Sequence, residues 1–352
     1  MGIAIAALVT APSLGCKQVS QSVQPGRTRE ITDMAGRKVK IPGKITKVYA
    51  SDPYTNVLLY MVAPEFSLGL QPGCLPFREE DKRFLRKEVA GLPVLATQPP
   101  GGEKQQVNLE EILRLKPDFA LALGGGAKSD SGRAEERFAR MNLPVVFLKI
   151  DAIADYPAAI EFLGKLLGRE TRAKRLSAYA RDVFAKVEKM VAAVSPEKRV
   201  RVYYAESADG LATESDRSFH TDAIRMAGGA IVHHGDIKTH VGMEKVSLEQ
   251  ILIYSPEVII SQEPDFAVNA YRDPRWQKVK AVANHRIYTV PRTPFNWIDR
   301  PPGVTRIMGV QWLAYLFYPD LYPTDIRKDI KDFHVLFMGV KPTDADLAEW
   351  LK

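Results

Sequence analysis

Two stretches decide the fold: Val107-Asn-Leu-Glu-Glu-Ile-Leu-Arg-Leu-Lys-Pro-Asp118 and Val246-Ser-Leu-Glu-Gln-Ile-Leu-Ile-Tyr-Ser-Pro-Glu257. They lie 139 residues apart, from 118 to 257, which is the size of one lobe. Each copy carries a capping box, Asn108 with Glu111 and Ser247 with Gln250, in which a side chain and a backbone N–H satisfy one another at a helix start. Each predicted helix stops before a proline, Pro117 or Pro256, because proline has no N–H to continue the ladder. An apolar strand follows each, Phe119–Leu123 and Val258–Ser261. A motif repeated one lobe-length apart implies two related α/β lobes.

Working outward, apolar strands alternate with helix-period segments, the pattern of parallel α/β layers. Further predicted strands are Val48–Ala50, Val145–Ile150, Val200–Ala205 and Ile287–Val290. A hairpin precedes them, Arg29–Asp33 and Lys38–Ile41 around a turn at Met34–Gly36. Between the lobes, Tyr156–Val194 reads as helix. Gly168 and Arg169 interrupt its apolar spacing, which predicts a short helix followed by a long one. A helical connection implies a stiff hinge between the lobes. The expected organisation is 1–16 leader, 17–28 tether, 29–155 N-terminal lobe, 156–195 connecting helix and 196–352 C-terminal lobe.

The chain has 352 residues, with 49 Lys and Arg against 42 Asp and Glu, a net charge of +7. No apolar run approaches the roughly 18–20 residues that span a bilayer, so a polytopic membrane protein is excluded. The basic residues are dispersed among acids and no nucleic-acid-binding signature occurs, so nucleic acid is not expected as a partner. The basic balance suits a surface or cleft for anionic ligands. Two cysteines, Cys16 and Cys74, make no disulfide framework. MGIAIAALVTAPSLGC (1–16) is apolar and rich in small residues, and polar sequence follows it. It reads as a signal-peptide core whose Gly15–Cys16 resembles a bacterial lipobox, with Cys16 lipidated and the mature protein held outside the cytoplasm. The alternative is a buried N-terminal strand.

With these segments in place, the chain resembles the substrate-binding proteins of ABC importers for ferric siderophores, haem and cobalamin. The resemblance runs from about Thr28 to Phe337. It is carried by ITDMAGRKVKIP (31–42), VNLEEILRLKPD (107–118), LPVVFLKI (143–150), RMAGGAIV (225–232), VSLEQIL (246–252), AVANHRIYTVP (281–291) and WLAYLFYP (312–319). It implies an α/β fold of two Rossmann-like lobes joined by a long backbone helix, with the ligand in the cleft between the lobes. In such sheets ligands sit beyond the strand C-terminal ends, here Ser51–Asn56, Gly124–Gly132, Glu206–His220 and Arg292–Arg300. It also implies a monomer working with a permease dimer and its ATPase subunits, binding a metal chelate without chemistry or a cofactor of its own. A small oxyanion such as molybdate or tungstate is the alternative ligand. A two-lobed metal-cluster or chelatase-like enzyme is the alternative of another class.

The resemblance also assigns residues. Glu110 and Glu249, matched in the two repeats, dock on permease arginines; otherwise they only complement a helix dipole. Trp297 and Arg300, in PFNWIDRPPG, offer a stacking face and a fork of donors to the ligand. Their alternative roles are core packing and pairing with Asp299 or another local acid. Tyr54, after the strand in ASDPYTN, is a phenolate for Fe(III), a hydrogen-bond donor, or a structural residue. His220, His233, His234 and His240 cluster within 21 residues. Their spacing fits no zinc signature, so no metal site is assigned. His233 and His234 are expected at the surface, and His220 and His240 within reach of the cleft. Gly124–Gly126 lacks the rest of a phosphate loop and reads as a cleft rim. No catalytic motif is present, so no catalytic residue is expected.

Overall fold

A computed structural model describes residues 27–71, 79–95, 109–125, 131–235 and 242–352. The expectations for Cys16, Cys74, Asn108 and His240 fall outside these residues.

The hairpin forms as β1 (Thr28–Thr32) and β2 (Lys38–Pro42), antiparallel, with Ile31 opposite Val39. Asp33 fastens it to the first lobe. Its carboxylate accepts the amides of Ala35, Arg37 and Phe147 and pairs with the Arg37 guanidinium at 2.8 Å. The N-terminal sheet is parallel, in the order β3 (Val48–Ala50), β4 (Phe119–Leu123), β5 (Val145–Leu148). Around it stand α1 (Pro53–Val62), α2 (Lys87–Ala90), α3 (Leu109–Arg114) and α4 (Ser131–Ala139).

Two helices follow, α5 (Tyr156–Leu167) and α6 (Glu170–Ala192). The predicted interruption is real: Gly168 takes φ +67° and caps α5 in the left-handed conformation that favours glycine. The predicted relation between the helices is corrected, because α5 folds back on α6 instead of extending it. A Cβ on Gly164 would stand 2.2 Å from that of Ala173, which shows how closely the two approach. At 23 residues, α6 is about 34 Å long and carries the chain from the first lobe to the second.

The second lobe contains β6 (Arg201–Ala205), β7 (Ala212–Thr213), α7 (Asp222–Met226), β8 (Ala230–Ile231), β9 (Glu244–Lys245), α8 (Leu248–Tyr254), β10 (Val258–Ser261), α9 (Pro264–Arg272), α10 (Lys280–Ala283) and β11 (Ile287–Thr289). Its parallel sheet runs β11-β10-β6-β8, and β7 pairs with β9 in a separate antiparallel ribbon. Half of the predicted capping box on α8 is present: the Ser247 hydroxyl accepts the Gln250 amide at 3.2 Å. The chain ends in α11 (Arg306–Phe317), α12 (Ile326–Phe333) and α13 (Asp344–Trp350).

This C-terminal tail departs from the expected 196–352 boundary. Arg83, in the first lobe, bonds Asp346 of α13, and the Phe84 ring lies 5.3 Å from that of Trp350. Arg172 of α6 donates to Met61 on one side and Phe337 on the other. One apolar core therefore runs from Val48 and Leu58 through α5, α6 and α11 to Val202 and Ile260. A shared core resists wide opening, because each lobe would have to expose it.

α11 is buried all round, and Gly309 is where it meets the preceding loop. A Cβ there would stand 2.1 Å from the Trp297 carbonyl oxygen and 2.7 Å from Ile298 Cγ2. Gly309→Ala is expected to cost about 1–3 kcal/mol through overpacking, read as an earlier urea midpoint. An unchanged midpoint would show that the loop yields freely.

Candidate functional site: a cavity between the lobes

The strand C-terminal ends of the first lobe open onto a cavity of about 410 Å³, facing Phe219, Pro302 and Arg306 of the second lobe. Ser51, Asp52 and Tyr54 come from the turn after β3, Gly124 follows β4, and Asp151 and Ala152 follow β5. Arg137 of α4 and Tyr156 of α5 complete the charged and aromatic walls. The cavity thus lies where ligands sit in parallel sheets, beyond the carboxyl ends of the strands. Its volume is in the range that holds small organic ligands, about 300–1,000 Å³.

Each polar wall has a local cause. Asp52 is the N-cap of α1, accepting the Thr55 amide at 2.9 Å, and burial raises its carboxyl above the usual range. The cap aims Tyr54 at the cavity from the first turn of α1. Burial foremost, and then the charges of Asp299 and Asp52, push the Tyr54 phenol up to about 12. In the ligand-free protein at neutral pH it is a phenol that can donate a hydrogen bond. Tyr156 donates to the Pro302 carbonyl at 3.2 Å and so ties the two lobes together at the cavity edge.

Arg306 is the most informative wall residue. It opens α11, is only 4% exposed, and is gripped by backbone: its Nε donates to the Ile298 carbonyl at 2.9 Å and its Nη2 to that of Phe219. No carboxylate pairs with it among the described residues, nor with Arg137 across the cavity. A buried guanidinium without a counter-ion is costly, and an anionic ligand group would relieve that cost. Sequence reading missed Arg306. Its signal was present, as the lone charge in the otherwise apolar RIMGVQWLAYLF.

The expected pair in PFNWIDRPPG takes its alternative roles. Trp297 is 1% exposed, with its ring 5.6 Å from Trp350 and 6.3 Å from Trp312 and its Nε1 donating to the Thr293 carbonyl at 3.1 Å. It belongs to the core and offers the cavity no face. Arg300 bonds the buried Glu206 at 2.8 Å and Glu214 at 3.0 Å, with Asp299 at 3.6 Å. The cavity wall does not include it. Burial raises the Glu206 carboxyl to about 9; Arg300 pulls against this while Glu214 and Asp299 add to it.

His220 stands beside that cluster, not in the cavity. It is buried, and its Nδ1 contacts Asp299 at 2.7 Å. His234 is exposed, as expected, beside Asp216. His233 departs from the surface expectation because it is half-buried, between the Tyr254 hydroxyl at 2.9 Å and Glu244 at 3.1 Å. Among the described residues no group of three or more His, Cys, Asp or Glu is placed to hold a metal ion. No described helix is long and apolar enough to cross a membrane. Glu110 and Glu249 are both exposed on α3 and α8, away from the cavity.

Comparison with known proteins agrees with this geometry. Residues 79–294 match the periplasmic binding protein family. An ABC transporter solute-binding protein of Sulfurospirillum deleyianum has a similar structure: TM-score 0.83, 35% identity, 92% of this chain and 98% of that one. The molybdate-binding protein MolA of Haemophilus influenzae is 24% identical, over 94% of this chain and 97% of its own. The high-affinity haem uptake protein IsdE of Staphylococcus aureus is 22% identical, over 63% of this chain and 75% of its own. The chain therefore belongs to the periplasmic binding protein family, as an extracytoplasmic solute-binding protein of the ABC-transporter class that includes siderophore, haem and metal binders.

Proposed function

We propose that the protein captures a metal chelate, an iron–siderophore, haem or corrinoid, between its lobes and delivers it to an ABC permease. The carrying observation is the cavity of about 410 Å³ that sets the buried Arg306 guanidinium among the rings of Tyr54, Tyr156 and Phe219. Arg306 would meet a carboxylate or other anionic group, Tyr54 would donate a hydrogen bond, and the rings would cover flat apolar surface. Closure would be small, since the lobes share a core through α6 and α11. Glu110 and Glu249 would dock on the permease dimer, and lipidated Cys16 would hold the monomer at the membrane.

A second reading keeps the importer role with molybdate or tungstate as cargo. The MolA relative favours it, since the similarity covers nearly the whole of both chains. The cavity volume favours the chelate, because it exceeds what a tetrahedral oxyanion fills.

Calorimetric titration of the protein lacking residues 1–16 separates them. All four tryptophans are buried and none lines the cavity, which makes their fluorescence an indirect reporter. Saturable heat with ferric siderophores, haem or cobalamin is the expected result. Heat with molybdate and tungstate alone would select the second reading. Silence across the panel would contradict both.

A further inference from the structure

The two docking glutamates each have an apolar companion. Leu113 stands three residues after Glu110 on α3, and Ile253 stands four after Glu249 on α8. Residues three and four apart share a helix face, so each acid and its companion present together. Both companions are exposed, Leu113 to 43% and Ile253 to 75%, an unusual position for large aliphatic side chains. The helices do not roll to hide them, because Ile112 and Ile251, equivalent in the repeat, are buried to 1% and 0% and hold the opposite faces inward. On α8 the acid is kept charged. Its own backbone amide and the Ser247 hydroxyl hold the Glu249 carboxyl below the usual range.

Resting on the docking role proposed for Glu110 and Glu249, we propose that Leu113 and Ile253 are apolar anchors of the same interface. Each lobe then presents one acid beside one aliphatic side chain. The partner it fits is a permease dimer whose external face sets a cationic side chain against each acid, with apolar surface beside it. The acid steers and orients the encounter, and the aliphatic side chain, buried on contact, slows dissociation. The two anchors are not strict equivalents, since the repeat aligns Leu113 with half-buried Leu252. The second lobe, with the more exposed anchor, carries the larger share.

The test is binding of the full protein to its cognate permease–ATPase complex in nanodiscs, by biolayer interferometry, with thermal melting as the control for folding. Ile253→Ser is expected to weaken binding about tenfold, mainly through faster dissociation, with melting unchanged. Leu113→Ser should weaken it less, and Ile253→Ala provides a second probe should the serine variant melt early. Wild-type binding by Ile253→Ser and Ile253→Ala, alongside weakened binding by Glu249→Gln, would overturn the anchors and leave docking by the acids standing. Wild-type binding by Glu249→Gln and by a Glu110/Glu249 double glutamine variant, together with the anchor variants, would remove the docking surface altogether.

Discussion

Arg300→Ala is expected to destabilise the protein by about 3–5 kcal/mol. The guanidinium is the cation among Glu206, Glu214 and Asp299, all of which are buried. Without it those carboxyls must take up protons or stand charged in a poorly solvated site. The pH dependence of stability follows from Glu206. Its folded pKa of about 9 lies above the ordinary 4.5, so the folded protein holds a proton that the unfolded chain has lost in that window. Its contribution is complete below about pH 4.5 and fades as pH rises toward 9. Removing Arg300 raises the Glu206 carboxyl further, so in the variant the fall continues above pH 9, where it levels off in the wild type. Urea unfolding at pH 8 reads the loss. A variant as stable as wild type at pH 8 would show that Arg300 is not the counter-ion of this cluster.

Trp297→Ala should cost about 3–5 kcal/mol, the usual range for deleting a large buried aromatic. The indole stands between Trp312 and Trp350, 6.0 Å from His334, where α11, α12 and α13 converge on the first lobe. Its removal opens a cavity at the joint that carries the C-terminal tail. The expected result is a lower urea midpoint, with ligand affinity of the folded fraction unchanged. A stable variant that fails to bind would return Trp297 to the ligand's surroundings. His334, in the same joint, adds an acid limit. Burial lowers its pKa to about 4, so stability declines as pH falls from about 6.5 toward 4, where the unfolded chain binds the proton first.

The fold was legible because its signals are local. The repeat at 107–118 and 246–257 gave the lobes, prolines and caps gave the helix ends, and apolar runs gave strands now seen within a residue or two of the expected limits. The packing of α5 on α6 was not legible, since helical spacing shows which face is apolar but not what covers it. The site was half legible. Of the loops expected after the strands, three reach the cavity, through Ser51, Asp52 and Tyr54, through Gly124 and through Phe219, whereas Arg292–Arg300 contributes no wall residue. PFNWIDRPPG misled because a Trp and an Arg in a proline-rich loop look exposed. Their burial depends on Trp350 and Glu206, dozens of residues away. Arg306, six positions beyond Arg300, was hidden because reading an apolar helix as core draws attention away from its one charge.

The claim that most needs testing is that Arg306, not Arg300, meets the cargo. The measurement is calorimetric affinity of Arg306→Gln and Arg306→Lys for whichever panel compound binds the wild type, with melting followed in parallel. Loss of a charge-assisted hydrogen bond predicts at least a tenfold weakening for Arg306→Gln, partial recovery for Arg306→Lys, and a folded protein in both cases. Wild-type affinity in a folded Arg306→Gln would contradict the account and place the anion site elsewhere.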